Sequence, residues 1–317
     1  MMMTIIDAHS HLWLKQDTRV DGKRILTLKN GRSIFLDEEV QMLPPFMIDG
    51  VNSAEVFLSN MNYAQVGAAV VVQEIIDGNQ NEYLTKVQQE YPDRFFCMGM
   101  TEFRYGSDFL AGAQAVIDSP MKGLAIPGHR LLSVPNSPEE DHFETLHLNA
   151  PRMMELFKLL EANDMVLSMC LGDDEQQIAE MCEVIQECPK LRVAIGHFGM
   201  VTTPSFEQQV KLALLGNNVM IESGGITWLY NSEFYPYPTA VRSIQQAADW
   251  VGWDRLMWGS DYPRTITAIT YRMSYDFVSK SPELSDDQKA MFLGENAKRF
   301  YGFKNLPELP YVKNMSE

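Results

Sequence analysis

The chain has 317 residues, of which 45% are hydrophobic and 21% charged, as is ordinary for a soluble globular enzyme. Forty-two acidic against 26 basic side chains leave a formal charge of −16. That charge repels phosphate backbones and anionic lipid, so nucleic acid and membrane surfaces are poor partners and a small molecule is the expected one.

The predicted elements begin with a short strand, Ile5–His9, and a long segment, 15–50, that carries charge, glycine and the Pro44-Pro45 stop. From residue 50 onward, apolar runs alternate with amphipathic stretches. The further runs are Ala68–Gln73, Phe95–Glu102, Gly123–Gly128, Val166–Leu171, Arg192–Phe198, Asn218–Gly224 and Leu256–Asp261. Helical patterns lie near 53–66, 79–90, 108–118, 151–163, 174–187, 204–216, 238–251 and 266–280, with a last helix over 285–301. Asn79 reads as an N-cap, Ser285 through Gln288 as a capping box, and Pro151, Pro204 and Pro238 as first-turn prolines.

Continuous rather than alternating apolar runs indicate strands buried on both faces, as in a parallel sheet. Eight strand–helix repeats close into a (β/α)8 TIM barrel, here a single domain over 1–317 with a long insertion after strand 1. A doubly wound open sheet would show a glycine-rich phosphate turn after an early strand, and none is present. Segments 15–50 and 129–149 both follow strand ends, so they are expected over the catalytic face as lid or pocket wall.

The four cysteines match no zinc spacing. A Cys182–Cys188 disulfide is conceivable, but free thiols in a reducing compartment fit better. No secretory signal pattern and no run of membrane-spanning length occur, so a cytoplasmic location is expected. The outer helices show no evident interface stripe, which leaves a homo-oligomer open.

Chemistry concentrates at the predicted strand ends. His9 and His11 are two residues apart on a strand and so project together, able to chelate one divalent ion or polarise one carbonyl. His197 ends the sixth strand and Asp261 the eighth, and in a closed barrel the eighth strand neighbours the first. His9, His11 and Asp261 are the candidate metal ligands; Asp261 and His197 are the candidate catalytic groups. Gln73, Arg130, Glu222 and Arg264 are candidate substrate-binding residues, the arginines for a carboxylate or hydroxyl. Glu74 and Glu102 also end strands, and Trp228 and Tyr230 are candidates for stacking on a sugar ring.

Asp7-Ala8-His9-Ser10-His11, Ile195-Gly196-His197-Phe198-Gly199, Gly259-Ser260-Asp261-Tyr262-Pro263 and Asn296-Ala297-Lys298-Arg299-Phe300-Tyr301-Gly302 together resemble the amidohydrolase superfamily, in its amidohydrolase-2 branch. Val70 to Gln73, Asn81 to Leu84, Tyr91 to Phe95 and Cys188 to Val193 are similar to the sugar-acid lactonase group, related to fuconolactonase and rhamnonolactonase. Metal-dependent relatives usually add a strand-5 histidine or a strand-4 carboxylated lysine, and neither is present here. The resemblance therefore implies at most one divalent metal, zinc first, or none.

On that basis the expected activity is lactone hydrolysis in carbohydrate metabolism. Asp261 would act as general base, while the histidines, or a metal they hold, polarise the carbonyl. The alternatives are a metal-dependent non-oxidative decarboxylase, a C–N hydrolase of the same superfamily, and a non-catalytic metabolite-binding barrel.

Overall fold

The computed structural model describes residues 3–313 and 315. After β1 (Ile6–Ser10) come β2 (Asp17–Val20), β3 (Lys23–Thr27), β4 (Arg32–Phe35) and β5 (Glu38–Gln41), then α1 (Ala54–Ala64). The chain continues through β6 (Ala68–Val71), α2 (Asn81–Glu90), β7 (Phe95–Gly99), α3 (Phe109–Ile117) and β8 (Gly123–Ile126). A small hairpin, β9 (Val134–Pro135) and β10 (Phe143–Glu144), precedes α4 (Pro151–Ala162), β11 (Val166–Met169), α5 (Glu175–Glu187) and β12 (Arg192–Ile195). The last third holds α6 (Phe206–Lys211), β13 (Val219–Glu222), α7 (Ile226–Leu229), α8 (Pro238–Val251) and β14 (Leu256–Met257). It ends with α9 (Met273–Ser279), α10 (Asp286–Ala290) and α11 (Asn296–Tyr301).

Eight parallel strands form one sheet in the order β1-β6-β7-β8-β11-β12-β13-β14. The ring closes where the segment after β14 meets β1. Ala8 N donates to Trp258 O at 2.9 Å, Asp261 N to His9 O at 2.9 Å and His11 N to Tyr262 O at 2.7 Å. This is the (β/α)8 barrel of the sequence reading.

Side-chain alternation divides the core. Val70, Phe96, Met98 and Met220 fill the barrel interior, while Phe95, Cys97 and Leu167 meet the helices outside. Phe300, Tyr301 and Phe303 plug the end opposite the site. Phe57 of α1 is fully buried and stacks on Tyr262 with ring centroids 4.0 Å apart. Phe57→Ala should therefore lower stability by about 3–5 kcal/mol through the cavity it leaves, read by urea denaturation.

Some boundaries differ from expectation. His197 and Asp261 lie beyond the ends of β12 and β14 rather than on them, because both backbones turn left-handed, with φ of 50° and 56°. Such a conformation cannot continue a strand. Asn79 bonds Asn81 N, but the cap position of α2 is Gln80. Ser285 and Gln288 do form a reciprocal capping box, and Pro151 and Pro238 open α4 and α8.

The insertion is a four-stranded antiparallel meander, β2-β3-β4-β5, where the sequence reading had placed no strands. Its turns use Asp21-Gly22, Asn30-Gly31 and Leu36-Asp37, all with positive φ. The four cysteines are unpaired. Among the described residues no helix is long and apolar enough to cross a membrane.

Candidate functional site

A β-bulge between Asp7 and Ser10 shifts the pairing of β1 with β6. Ala8 packs in the barrel interior, while His9, next to it, faces the cavity above. Asp7 anchors this turn from behind. Its buried carboxylate accepts from Ser260 N at 2.8 Å, from Tyr271 OH at 2.7 Å and from His9 N at 3.1 Å. Burial pushes the Asp7 carboxyl up to about 6, against those bonds.

Three ligand atoms converge. His9 Nε2 and His11 Nε2 are 3.1 Å apart, and Asp261 Oδ1 lies 3.1 Å from His11 Nε2 and 3.6 Å from His9 Nε2. The far edge of each ring is fixed by a buried carboxylate. His9 Nδ1 donates to Glu222 Oε1 at 2.7 Å and His11 Nδ1 to Asp77 Oδ2 at 2.9 Å.

An ionised carboxylate only accepts, so each imidazole carries a proton on Nδ1. In their neutral forms both rings then aim an Nε2 lone pair at each other and at Asp261. Three electron-rich atoms this close need a positive charge among them, either a proton or a metal cation. A tetrahedral zinc with Zn–N near 2.0–2.1 Å separates neighbouring ligand atoms by about 3.3 Å, which the observed spacings bracket. The donor set thus fits one divalent ion, with Glu222 and Asp77 orienting its ligands.

The electrostatics agree. Burial pulls the His11 imidazolium down, but Asp77 and Asp261 override it and hold its pKa well above the ordinary value. Burial would raise Asp261, yet the His11 bond and the surrounding histidines hold its carboxyl well below the usual range. His197 is driven down by burial and by the charge of His9. Its Nδ1 donates to Gly224 O at 2.9 Å, so its Nε2 presents a lone pair and cannot donate to an oxyanion.

A second layer holds Asp261. Trp228 Nε1 donates to Asp261 Oδ2 at 2.6 Å, and the Arg264 guanidinium sits 3.7 Å from the indole centroid. Trp228 is therefore a support for Asp261 whose face is already covered, not an open sugar platform. Tyr230 bonds Ser243.

Glycines make room for the Glu222–His9 pair. A Cβ at Gly259 would stand 2.7 Å from His9 Cβ and 2.9 Å from Glu222 Oε2.

The sequence profile of the amidohydrolases matches residues 6–303. The chain belongs to the amidohydrolase family. No curated protein matches it. Among solved structures it is similar to a probable 2-pyrone-4,6-dicarboxylic acid hydrolase from Acinetobacter baumannii with citric acid bound. The TM-score is 0.67 at 18% identity, over 95% of this chain and 100% of that one. A zinc-bound amidohydrolase from Burkholderia multivorans gives 0.63 at 16% identity, over 96% and 100%. The 2,6-dihydroxybenzoate decarboxylase from Rhizobium gives 0.58 at 12%, over 95% and 99%. At these identities the likeness is one of fold.

In this amidohydrolase a cavity of about 350 Å³ opens onto the converging atoms, and His9, His11, His197 and Asp261 all border it. Arg130 and Arg264 line it too, Arg130 with its Nε on Glu74 Oε1 at 3.1 Å. Gln73 reaches the wall, but its amide is committed to Asn81, Met98 and Gln80. Glu222, expected against substrate, is instead 1% exposed behind His9, with one oxygen on His9 and the other on Gly224 N. Its two oxygens are consumed inside the protein, so it is a support rather than a contact.

Glu102 pairs with Arg104 away from this cavity. Cys170 borders the cavity, and burial holds its thiol neutral, so it is a poor metal ligand. His129 also lines the cavity, beyond what its place in a polar loop indicated.

Asp77 was not legible as a site residue. It sits in the turn after β6, and only the fold shows that the turn reaches His11.

Proposed function

We propose that this amidohydrolase opens a lactone ring by attack of water, with Asp261 as general base. The observation that carries the reading is the ionised Asp261 carboxylate set against paired imidazoles at the floor of the cavity. A lactone carbonyl oxygen entering that floor meets the positive charge that His9, His11 and Asp261 require. When a divalent ion occupies the trio, it supplies Lewis-acid polarisation of the carbonyl.

The residues do the rest. Asp261 takes a proton from water as its oxygen bonds to the carbonyl carbon, and the lone pair of His197 Nε2 helps to align that water. In the resting site Asp261 is a weak base. Engagement of His11 with the carbonyl withdraws one stabilising partner and raises its basicity. Collapse of the tetrahedral intermediate breaks the ring C–O bond, Asp261 returns the proton to the leaving alkoxide, and a hydroxy acid results. Arg130 and Arg264 are placed to hold a carboxylate or hydroxyl of the substrate.

A 2-pyrone is itself a cyclic ester, so the likeness to a protein bearing that hydrolase name supports the class. Sugar-acid lactones, to which the motifs point, belong in the first panel. A pH-indicator assay across aldonolactones and simpler lactones, with and without chelator, tests the proposal. Acid release supports it. No lactone hydrolysis together with carbon dioxide release from aryl carboxylates would replace it with the decarboxylase reading.

Trp228→Phe keeps the ring under Arg264 but removes the donor to Asp261. Loss of a hydrogen bond to the charged form raises a carboxyl pKa, so the acid limb of the kcat–pH profile should move to higher pH than in the wild type. KM should change little, which steady-state kinetics on the best lactone would show.

A further inference from the structure

The insertion meander puts two different faces to its two sides. Register pairs Ser33 with Val40, and Phe35 with both Ile25 and the exposed Glu38, so these side chains share one face, and Met42 continues it. The other face carries the half-buried Leu26 and Ile34 beside Arg24, Arg32, Glu39 and Gln41, which are exposed to water, with Arg32 and Glu39 joined in an ion pair. The apolar face looks into the catalytic cavity, where Phe35, Val40 and Met42 form part of the wall. All three are only half-buried. From residues 15–50 the sole polar side chain in that wall is the buried Gln16, whose Oε1 accepts from Ser33 Oγ and whose Nε2 has no partner.

The cavity lining therefore joins two kinds of chemistry. His9, His11, His197, Asp261, Arg130 and Arg264 supply polar atoms, and the insertion offers half-covered apolar surface. Hydroxyls of a sugar ring held against Phe35, Val40 and Met42 would lose water without gaining hydrogen bonds there, at a cost for each. An alkyl or aryl group would cover it favourably.

Resting on the lactonase reading, we infer that the substrate is a lactone with an apolar alkyl or aryl substituent, selected by Phe35, Val40 and Met42 against sugar-acid lactones. Each methylene buried on this wall should raise kcat/KM by about fourfold.

The test has a kinetic arm and a binding arm. In the first, kcat/KM is compared for δ-decanolactone, δ-valerolactone and gluconolactone in the wild type, Phe35→Ser and Phe35→Leu. The expected order places δ-decanolactone first. Its ratio to δ-valerolactone should fall about tenfold or more in Phe35→Ser and be retained in Phe35→Leu, as loss and conservation of apolar contact require.

In the second arm, calorimetry compares binding of the ring-opened 5-hydroxydecanoate with that of gluconate, independently of turnover. Tighter binding of 5-hydroxydecanoate, lost in Phe35→Ser, supports the apolar wall even if no lactone is hydrolysed, in which case only the lactonase reading fails. Gluconolactone turned over best, gluconate bound as tightly, or neither acid bound, overturns the inference.

Discussion

Asp261→Asn should lower kcat by about 10²–10⁴-fold on the best lactone of the panel, the range for losing a general base. The substitution keeps the local geometry for physical reasons. Asp261 has φ of 56°, and asparagine is among the few residues that accept the left-handed region readily. An asparagine oxygen can still accept from Trp228 Nε1, and its amide can donate to the Nε2 lone pair of His11. Geometry and volume are thus kept, while the atom that takes the proton is lost.

Initial rates should show the loss, and calorimetry with the hydroxy acid product should show affinity nearly intact. A barrel that only binds a metabolite would have no wild-type turnover to lose. A variant rate within about threefold of wild type would remove Asp261 from the base role, since positioned bases contribute far more than that.

The barrel was legible because its signal is repeated. Each of β6, β8, β11 and β13 is a run of buried residues flanked by helical periodicity, and no single strand had to be read correctly for the count to emerge. His9, His11 and Asp261 were legible for a related reason: the end of the first strand and the end of the eighth must meet once the ring closes.

What escaped was contact across loops. Glu222 looked like a strand-end carboxylate open to substrate, yet the glycines around it let His9 pack so close that both its oxygens are taken. Asp77 gave no signal at all, because the turn that brings it to His11 is set by tertiary packing. The insertion is different. Asp21-Gly22 and Asn30-Gly31 are strong hairpin signals. Charge, glycine and two prolines masked them.

Asp77→Asn should weaken zinc binding by about 10–100-fold, the usual consequence of altering a carboxylate that orients a ligating histidine. Asp77 Oδ2 accepts from His11 Nδ1 at 2.9 Å, which fixes the tautomer and makes Nε2 more electron-rich. An asparagine oxygen keeps the tautomer but removes the charge, so the loss falls on ligand basicity rather than on ring placement. Asp77 is the better choice over Glu222, whose carboxylate also accepts from Gly224 N and from His197 N at 3.3 Å; altering it would disturb the backbone at two further points.

The measurement is direct. The protein is stripped with chelator, and zinc is titrated against a chromophoric competitor for wild type and variant. A one-to-one wild-type stoichiometry with a weaker variant places the cation among His9, His11 and Asp261. Substoichiometric zinc in both, with lactone hydrolysis unaffected by chelator, would mean that a proton on His11 supplies the positive charge. The strong upward displacement of the His11 pKa by its two carboxylate neighbours would then govern activity: Asp77→Asn would weaken that hold, and activity would be lost at a lower pH than in the wild type as His11 gives up its proton.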